Sequence, residues 1–289
     1  MSKNFRGVLL LTGAAIIWGF AFVAQRQGAE DIPPFTFTAV RGALGALVLT
    51  VTWLVKSGIE KKKGSFSREK TAASLKGGLI AGIFMCAATN LQQIALGTVS
   101  AGKSGFLTAL YIVIVPVLGF IFMKRRVKLK VWIAVLIALV SLYLITGADL
   151  SGMERGDIFL IGCAFMFALQ ILTLSVVSPG GDPVLITAVE FVLTSAVSSV
   201  PALLFESVSP GAFSEALIPI LYTGILSSAV AYGLQTAGQA LAEPEPASIA
   251  MSLESVFAAI GGALILGESM TVTELAGCAL MFLAVLLSG

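Results

Sequence analysis

Ten apolar stretches follow one another along the 289 residues of this chain. A helix needs roughly 20 mostly apolar residues to cross a bilayer, so each stretch predicts a membrane span. Hydrophobic residues make up 57% of the sequence and charged residues only 12%, which excludes an ordinary soluble domain. The predicted spans are Gly7–Ala24, Pro33–Val55, Gly77–Val99, Ser104–Met123, Val131–Ala148, Ile158–Val177, Val184–Phe205, Ala216–Leu241, Ala247–Gly267 and Leu275–Gly289.

Basic residues are concentrated in alternate connections between these spans. The opposite connections hold only Arg26, Lys103 and Arg155. Lysine and arginine accumulate on the cytoplasmic side of membrane proteins, so both termini are predicted to be cytoplasmic. The concentrated basic residues are Lys3, Arg6, Lys56, Lys61, Lys62, Lys63, Arg68, Lys70, Lys76, Lys124, Arg125, Arg126, Lys128 and Lys130.

Missing and rare residue types exclude several classes of protein. The chain has no histidine, and its three cysteines, Cys86, Cys163 and Cys278, each lie within an apolar stretch. Histidine metal sites and catalysis by serine–histidine or cysteine–histidine pairs are therefore excluded. The net charge of +2 does not indicate a nucleic-acid partner. We predict no cofactor, no metal and no catalytic residue.

The two halves of the chain resemble each other. Matching residues follow in the same order in both halves: Arg6-Gly7 with Arg155-Gly156, Thr38-Ala39-Val40 with Thr187-Ala188-Val189, and Leu91-Gln92 with Leu234-Gln235. Each half then holds five predicted spans, and this odd number makes the second half enter the membrane from the opposite side. We therefore predict an all-α membrane protein of two inverted five-helix repeats, residues 1–148 and 149–289.

Three ionisable residues lie inside predicted spans: Arg41, Glu190 and Glu254. Charged side chains are costly in the hydrocarbon region, so these residues are functional candidates. Arg41 lies about 12 Å from the outer end of its span, and the two glutamates lie about 10 Å from inner ends. The repeat pairs Tyr111 with Glu254. We predict two polar stations, Arg41 with Tyr111 in the outer third and both glutamates in the inner third, with no direct ion pair between Arg41 and Glu190.

Further side chains at similar depths complete the predicted route. Asn90 lies outward on the third span, Gln170 lies inward on the sixth, and Trp18 lies near the middle of the first. Each has an alternative role, since amides also join neighbouring helices and a buried tryptophan also packs. Gln92, Gln93 and Gln235 are amides of the same kind. The predicted pathway residues are Trp18, Arg41, Asn90, Tyr111, Gln170, Glu190 and Glu254.

The stretch Gly97–Ser104 reads GTVSAGKS and matches the pattern of a phosphate-binding loop. Such a loop follows a β-strand, whereas this stretch joins two apolar spans, so we interpret it as a tight turn. Closely spaced glycines, Gly42 with Gly45 and Gly78 with Gly82, indicate close helix packing in lipid.

Three segments resemble a known family. Met251–Ser269 (MSLESVFAAIGGALILGES) is similar to the ninth helix of the EamA family of the drug/metabolite transporter superfamily, and Phe106–Phe122 (FLTALYIVIVPVLGFIF) resembles its first-half counterpart. Ile16–Phe22 (IIWGFAF) resembles the first helix. Ser255 departs from the pattern, because many members carry proline there. The resemblance covers essentially the whole chain and implies ten helices around a central cavity, with transport as the function.

We therefore predict a secondary transporter that exports small metabolites, such as amino acids or drug-like amphipathic compounds, by alternating access. Arg41 would meet anionic groups, and Glu254 or Glu190 would bind a cationic group or a proton. An uncoupled facilitator or exchanger stays open, as do an intramembrane enzyme, a lipid-handling protein and a non-transporting scaffold. We expect a multi-pass protein of the bacterial inner membrane, a monomer or weak homodimer, whose partners are a small-molecule substrate, protons and the lipid bilayer.

Overall fold

The computed structural model describes residues 3–99, 101–124, 126–147, 154–266 and 270–288, and these ranges contain helices and turns but no strand. The helices are α1 (Lys3–Asp31), α2 (Pro34–Lys62), α3 (Arg68–Leu96), α4 (Ala101–Ala109), α5 (Tyr111–Met123), α6 (Leu129–Thr146), α7 (Arg155–Val177), α8 (Pro183–Phe205), α9 (Ala212–Glu215), α10 (Leu217–Leu221), a π-helix (Tyr222–Ala231), α11 (Tyr232–Gln239), α12 (Pro244–Met251), α13 (Glu254–Leu266) and α14 (Val272–Ser288).

Eight helical segments of the described ranges are long and apolar enough to cross a membrane, and they correspond to the first eight predicted spans. Helices α4 and α5 together form the fourth, and α10, the π-helix and α11 form the eighth. The ninth predicted span is divided between the short helices α12 and α13, and the tenth corresponds to α14 with 17 residues. The count of ten and the two-repeat organisation stay predictions.

Polar side chains define where several helices begin. Ser67 accepts a hydrogen bond from the Lys70 amide at the start of α3, and Asp182 accepts from the Val184 and Leu185 amides at the start of α8. These caps satisfy amides that have no partner within the helix. The helices extend beyond the apolar stretches. Helix α2, for example, continues through polar residues and ends at Lys62 rather than at Val55.

Small residues allow the helices to approach closely. Helix α2 packs against α8 and the π-helix, α3 packs against α7 and α8, and α6 packs against α14. A Cβ atom added at Gly45 would lie 2.7 Å from Cβ of Ser228, and one added at Gly78 would lie 2.8 Å from the carbonyl oxygen of Ile186. Larger residues would separate these helices, so the interpretation of these glycines as packing positions is confirmed.

The outer surface of the bundle is apolar and its interior contains charged residues. Leu203 and Phe205 are 86% and 82% exposed, whereas Arg41 and Glu190 are 2% and 0% exposed. This distribution is the reverse of that in a soluble protein. The exposed apolar side chains are suited to contact lipid, and the buried polar side chains surround the site described next.

Candidate functional site

A cavity inside the bundle is lined by side chains from both halves of the chain. Its empty space measures about 480 Å³ including the part open to solvent, and the space clear of side chains has room for only a few water molecules. This space admits water but is too small for a metabolite. The lining residues are Trp18, Phe22, Gln25, Arg41, Gln92, Thr108, Tyr111, Phe167, Ile171, Ser227, Tyr232, Gln235, Met251 and Glu254.

Tyr111 and Glu254 meet across this cavity. The Tyr111 hydroxyl donates a hydrogen bond of 3.2 Å to Oε1 of Glu254. Each residue begins a helix directly after a break in a span: α5 starts after Leu110, and α13 starts after the turn at Ser252 and Leu253. The breaks therefore place the two polar groups at the same level, where their chain segments face each other.

The prediction of two separate polar stations is wrong. Arg41, Tyr111 and Glu254 line one cavity, and Tyr111 contacts Glu254 directly. The helix that leads to Glu254 begins at Pro244, three residues before the predicted span. The span also breaks at Ser252 and Leu253, so a depth counted along one continuous helix from Ala247 does not locate Glu254.

Arg41 is the basic residue in the lining of the cavity. It is 2% exposed, and α2 is held in place there because Gly45 packs against Ser228 and Ser195 donates a hydrogen bond to the Ala39 carbonyl oxygen. Among the described residues, Nε and Nη2 of Arg41 have no hydrogen-bond partner. A buried guanidinium with unused donors is suited to bind an anionic group of a ligand.

Aromatic side chains form one wall of the cavity. The rings of Trp18 and Tyr232 lie 4.7 Å apart and meet edge to face, and Phe191 packs on the other side of Tyr232 at 5.2 Å. Within the described ranges, Nε1 of Trp18 has no hydrogen-bond partner. The wall thus offers apolar surface together with an indole donor, which suits an amphipathic ligand.

A chain of hydrogen bonds leads from the cavity to Glu190. Gln235, which lines the cavity, donates to Oε1 of Gln170 at 3.1 Å, and Gln170 donates to Oε1 of Glu190 at 2.9 Å. Gln170 and Glu190 are both fully buried, and neither belongs to the cavity lining. Glu190 therefore lies behind the cavity and is joined to it through two amides, rather than pairing with Glu254 as predicted.

Asn90 is directed away from the cavity. Its amide donates to the Cys86 carbonyl oxygen and to Ser198 on α8, each at 2.8 Å, and it accepts a hydrogen bond from Ser198. Gln92, two residues along the same helix, lines the cavity instead. The structure thus gives Asn90 the alternative role that the sequence left open, a hydrogen bond between helices.

The sequence reasoning missed Gln25 and Tyr232. Gln25 follows Trp18 by two helical turns on the same face of α1, and Phe22 lies between them. Helical periodicity starting from Trp18 would therefore have identified Phe22 and Gln25. Tyr232 likewise precedes Gln235 by one turn. These positions were predictable once one residue of each face was assigned.

The stretch that resembles a phosphate-binding loop contains an ion pair. Lys103 Nζ lies 2.8 Å from Oδ2 of Asp157, a residue that also takes part in the capping box of α7 with Glu154.

Within the described residues, no group of three or more cysteine, aspartate or glutamate side chains is arranged to hold a metal ion.

Comparison with protein families identifies a match over most of the chain. The model of the EamA-like transporter family matches residues 5–147 and 154–289. The two matched ranges correspond to the two halves in which the internal repeat is predicted.

Several known proteins are similar over most of their length. An uncharacterized transporter of Archaeoglobus fulgidus is 26% identical, and the matched region covers 99% of this chain and 86% of that protein. The uncharacterized transporters YoaV and YwfM of Bacillus subtilis are 24% and 26% identical, covering 97% and 99% of this chain and 94% of each relative. A solved crystal structure superposes with a TM-score of 0.78 at 16% identity, over 98% of this chain and 96% of its own, and shows the same fold.

Proposed function

The chain belongs to the EamA-like transporter family, and we propose that it exports a small zwitterionic or amphipathic metabolite through the cavity between Arg41 and Glu254. It is a multi-pass membrane protein and a transporter by family. The observation that carries the proposal is the buried guanidinium of Arg41, whose Nε and Nη2 have no partner among the described residues, facing a cavity that also contains a carboxyl group.

The lining groups suggest how a ligand would be held. A carboxylate or other anionic group would accept hydrogen bonds from Arg41, and an amine would lie near Glu254 and the hydroxyl of Tyr111. An apolar part of the ligand would pack against Trp18 and Tyr232. Such a set of contacts favours amino acids and drug-like amphipathic compounds over uncharged sugars or inorganic ions.

Tight contacts at both ends of the bundle support alternating access. At one end, where Arg26 donates to the Val99 carbonyl oxygen, a Cβ atom at Gly156 would overlap the Val99 side chain. At the other end, a Cβ atom at Gly7 would lie 2.8 Å from the Gly238 carbonyl oxygen. Since the cavity is too small for a metabolite, one of these two ends must open before a ligand binds.

The predicted repeat relates these two contacts. Gly7 corresponds to Gly156, and Ala242, which also lies against Gly7, corresponds to Val99. An inverted repeat exchanges the roles of its halves when the cavity switches its opening from one side of the membrane to the other. Matched contacts at opposite ends are therefore the arrangement that such a mechanism requires.

Ligand-dependent thermal unfolding across a metabolite panel tests the proposed ligand class. The panel contains amino acids, their amides, which lack the carboxylate, and the corresponding acids without the amine. We expect the zwitterions to raise the unfolding temperature more than either analogue, because only they use both Arg41 and Glu254.

A matched pair of variants assigns the effect to the cavity. Glu254→Gln is expected to respond equally to a zwitterion and to the acid without the amine, whereas Glu215→Gln, which changes an exposed carboxylate on α9, is expected to behave as the unmodified chain does. If uncharged compounds stabilise the protein best, or if both variants keep the preference for zwitterions, the proposed ligand class is wrong.

A further inference from the structure

A second cavity lies at the end of the bundle where both termini of the described chain meet. It is lined by Lys3 at the start of α1, by the connection between α5 and α6, by the connection between α11 and α12, and by Ser288 near the end of α14. Its empty space measures about 1200 Å³, including the part open to solvent. This cleft is therefore large enough to hold the headgroup of a phospholipid without rearrangement.

Positive charge predominates in the cleft. Its basic residues are Lys3, Arg126, Lys128 and Lys130, and its acidic residues are Glu243 and Glu245. Lys3, Arg126 and Lys128 are exposed and, in the part of the chain that the structure describes, make no ion pair. Three cations from two separate segments thus converge on one open cleft.

An apolar pocket adjoins the cleft and shares two residues with it. It is lined by Phe120, Arg126, Val127 and Trp132, and Arg126 and Val127 also line the cleft. Phe120 is 60% exposed on the outer surface of α5, and Trp132 lies one turn inside α6. Tryptophan at this position is typical of the boundary between the hydrocarbon region and the headgroups.

We propose that this cleft binds the headgroup of an anionic phospholipid, with its phosphate held by Arg126, Lys128 and Lys3 and an acyl chain packed against Phe120 and Trp132. Lysine and arginine near the membrane surface attract anionic lipids, and arginine pairs with phosphate through two hydrogen bonds. A charge that only directs topology has no need of a cavity or of an adjacent apolar wall, whereas a lipid requires both.

The test measures thermal unfolding of the purified full-length chain in detergent with added lipid. The probes are phosphatidylglycerol and phosphatidylcholine with identical acyl chains, so that only the headgroup charge differs. We expect phosphatidylglycerol to raise the unfolding temperature by about 5 °C more than phosphatidylcholine does. Native mass spectrometry should show one phosphatidylglycerol retained per chain.

Two variants of equal charge change assign the lipid to the cleft. Arg126→Gln with Lys128→Gln should lose the advantage of phosphatidylglycerol, and Lys62→Gln with Lys63→Gln, at the far end of α2, should keep it. If the first double variant does not fold, Lys128→Gln alone should reduce the difference by about half.

Three results would overturn the proposal. Equal losses in the two double variants would show general attraction to the basic surface rather than a site. Equal stabilisation by inorganic phosphate at the same concentration would assign the cleft to a soluble anion instead of a lipid. Equal retention of phosphatidylcholine and phosphatidylglycerol in the mass spectrum would remove any role for the headgroup charge.

Discussion

Arg41 occupies a position that costs stability unless a ligand uses it. A charged side chain inside a membrane helix costs up to about 3 kcal/mol on insertion scales. The side chain is 2% exposed, and two of its three guanidinium nitrogens have no partner among the described residues. We propose that an anionic ligand in the adjoining cavity supplies the missing acceptors.

Arg41→Met separates stability from binding at this residue. The variant keeps an unbranched apolar stem but removes a buried charge, so its free energy of unfolding should rise by about 1–3 kcal/mol. Stabilisation by carboxylate-bearing ligands should be lost at the same time. Thermal unfolding with and without the metabolite panel measures both effects.

Arg68→Met is the control, because Arg68 is exposed at the start of α3 and should change neither quantity. A strong loss of stability in the ligand-free Arg41→Met variant would contradict the account. So would a larger rise in unfolding temperature with carboxylate-bearing ligands than with their amides in this variant.

At the scale of helices, the breaks at Leu110 and at Ser252–Leu253 decide the geometry of the site. Hydropathy predicts the spans that contain them but not the breaks, because apolar residues lie on both sides of each. Ser255 in place of proline does not remove the second break, since α13 still begins at Glu254. The breaks bring Tyr111 and Glu254 together, which depth estimates from span ends did not predict.

The sequence predicts which side chains face the cavity at some positions and not at others. Helical periodicity from Trp18 leads to Phe22 and Gln25, and both line the cavity. Nothing in the sequence distinguishes Asn90, which bonds to Ser198, from Gln92, which lines the cavity two residues later. The difference arises from the rotation of α3 against α8, a property of tertiary packing that a single helix does not encode.

Gly156→Ala tests the close contact between α7 and the end of α3. The added Cβ would overlap Val99 and lie 2.9 Å from Oγ1 of Thr98, so these side chains or this end of the bundle must shift. We expect the free energy of unfolding to fall by about 1–3 kcal/mol, as for other overpacked positions. Thermal unfolding is the measurement.

Gly58→Ala is the matched control, because no atom lies within 4 Å of a Cβ added at that helical glycine. It should be neutral or stabilising by up to about 1 kcal/mol. Equal effects of the two substitutions would show that the contact at Gly156 is not close packed.

The whole molecule combines a lipid-facing apolar surface with a polar cavity, and its helices make close contacts at both ends. Contacts at Gly7 and Gly156 lie at opposite ends, and the cavity of Arg41 and Glu254 lies between them. Exporting a solute through such a molecule requires the two ends to open in turn. Coupling to protons requires a group that changes protonation within the cavity, and Glu254 is the carboxyl group in its lining.

Flux into proteoliposomes, with and without a pH gradient, tests this central claim most directly. The probe is the compound that stabilises the protein most in the metabolite panel. The unmodified chain and Glu215→Gln should transport it faster when a gradient is imposed. Glu254→Gln should transport it about tenfold more slowly and without dependence on the gradient, because an amide cannot exchange the proton. Undiminished flux with unchanged pH dependence in Glu254→Gln would contradict the account.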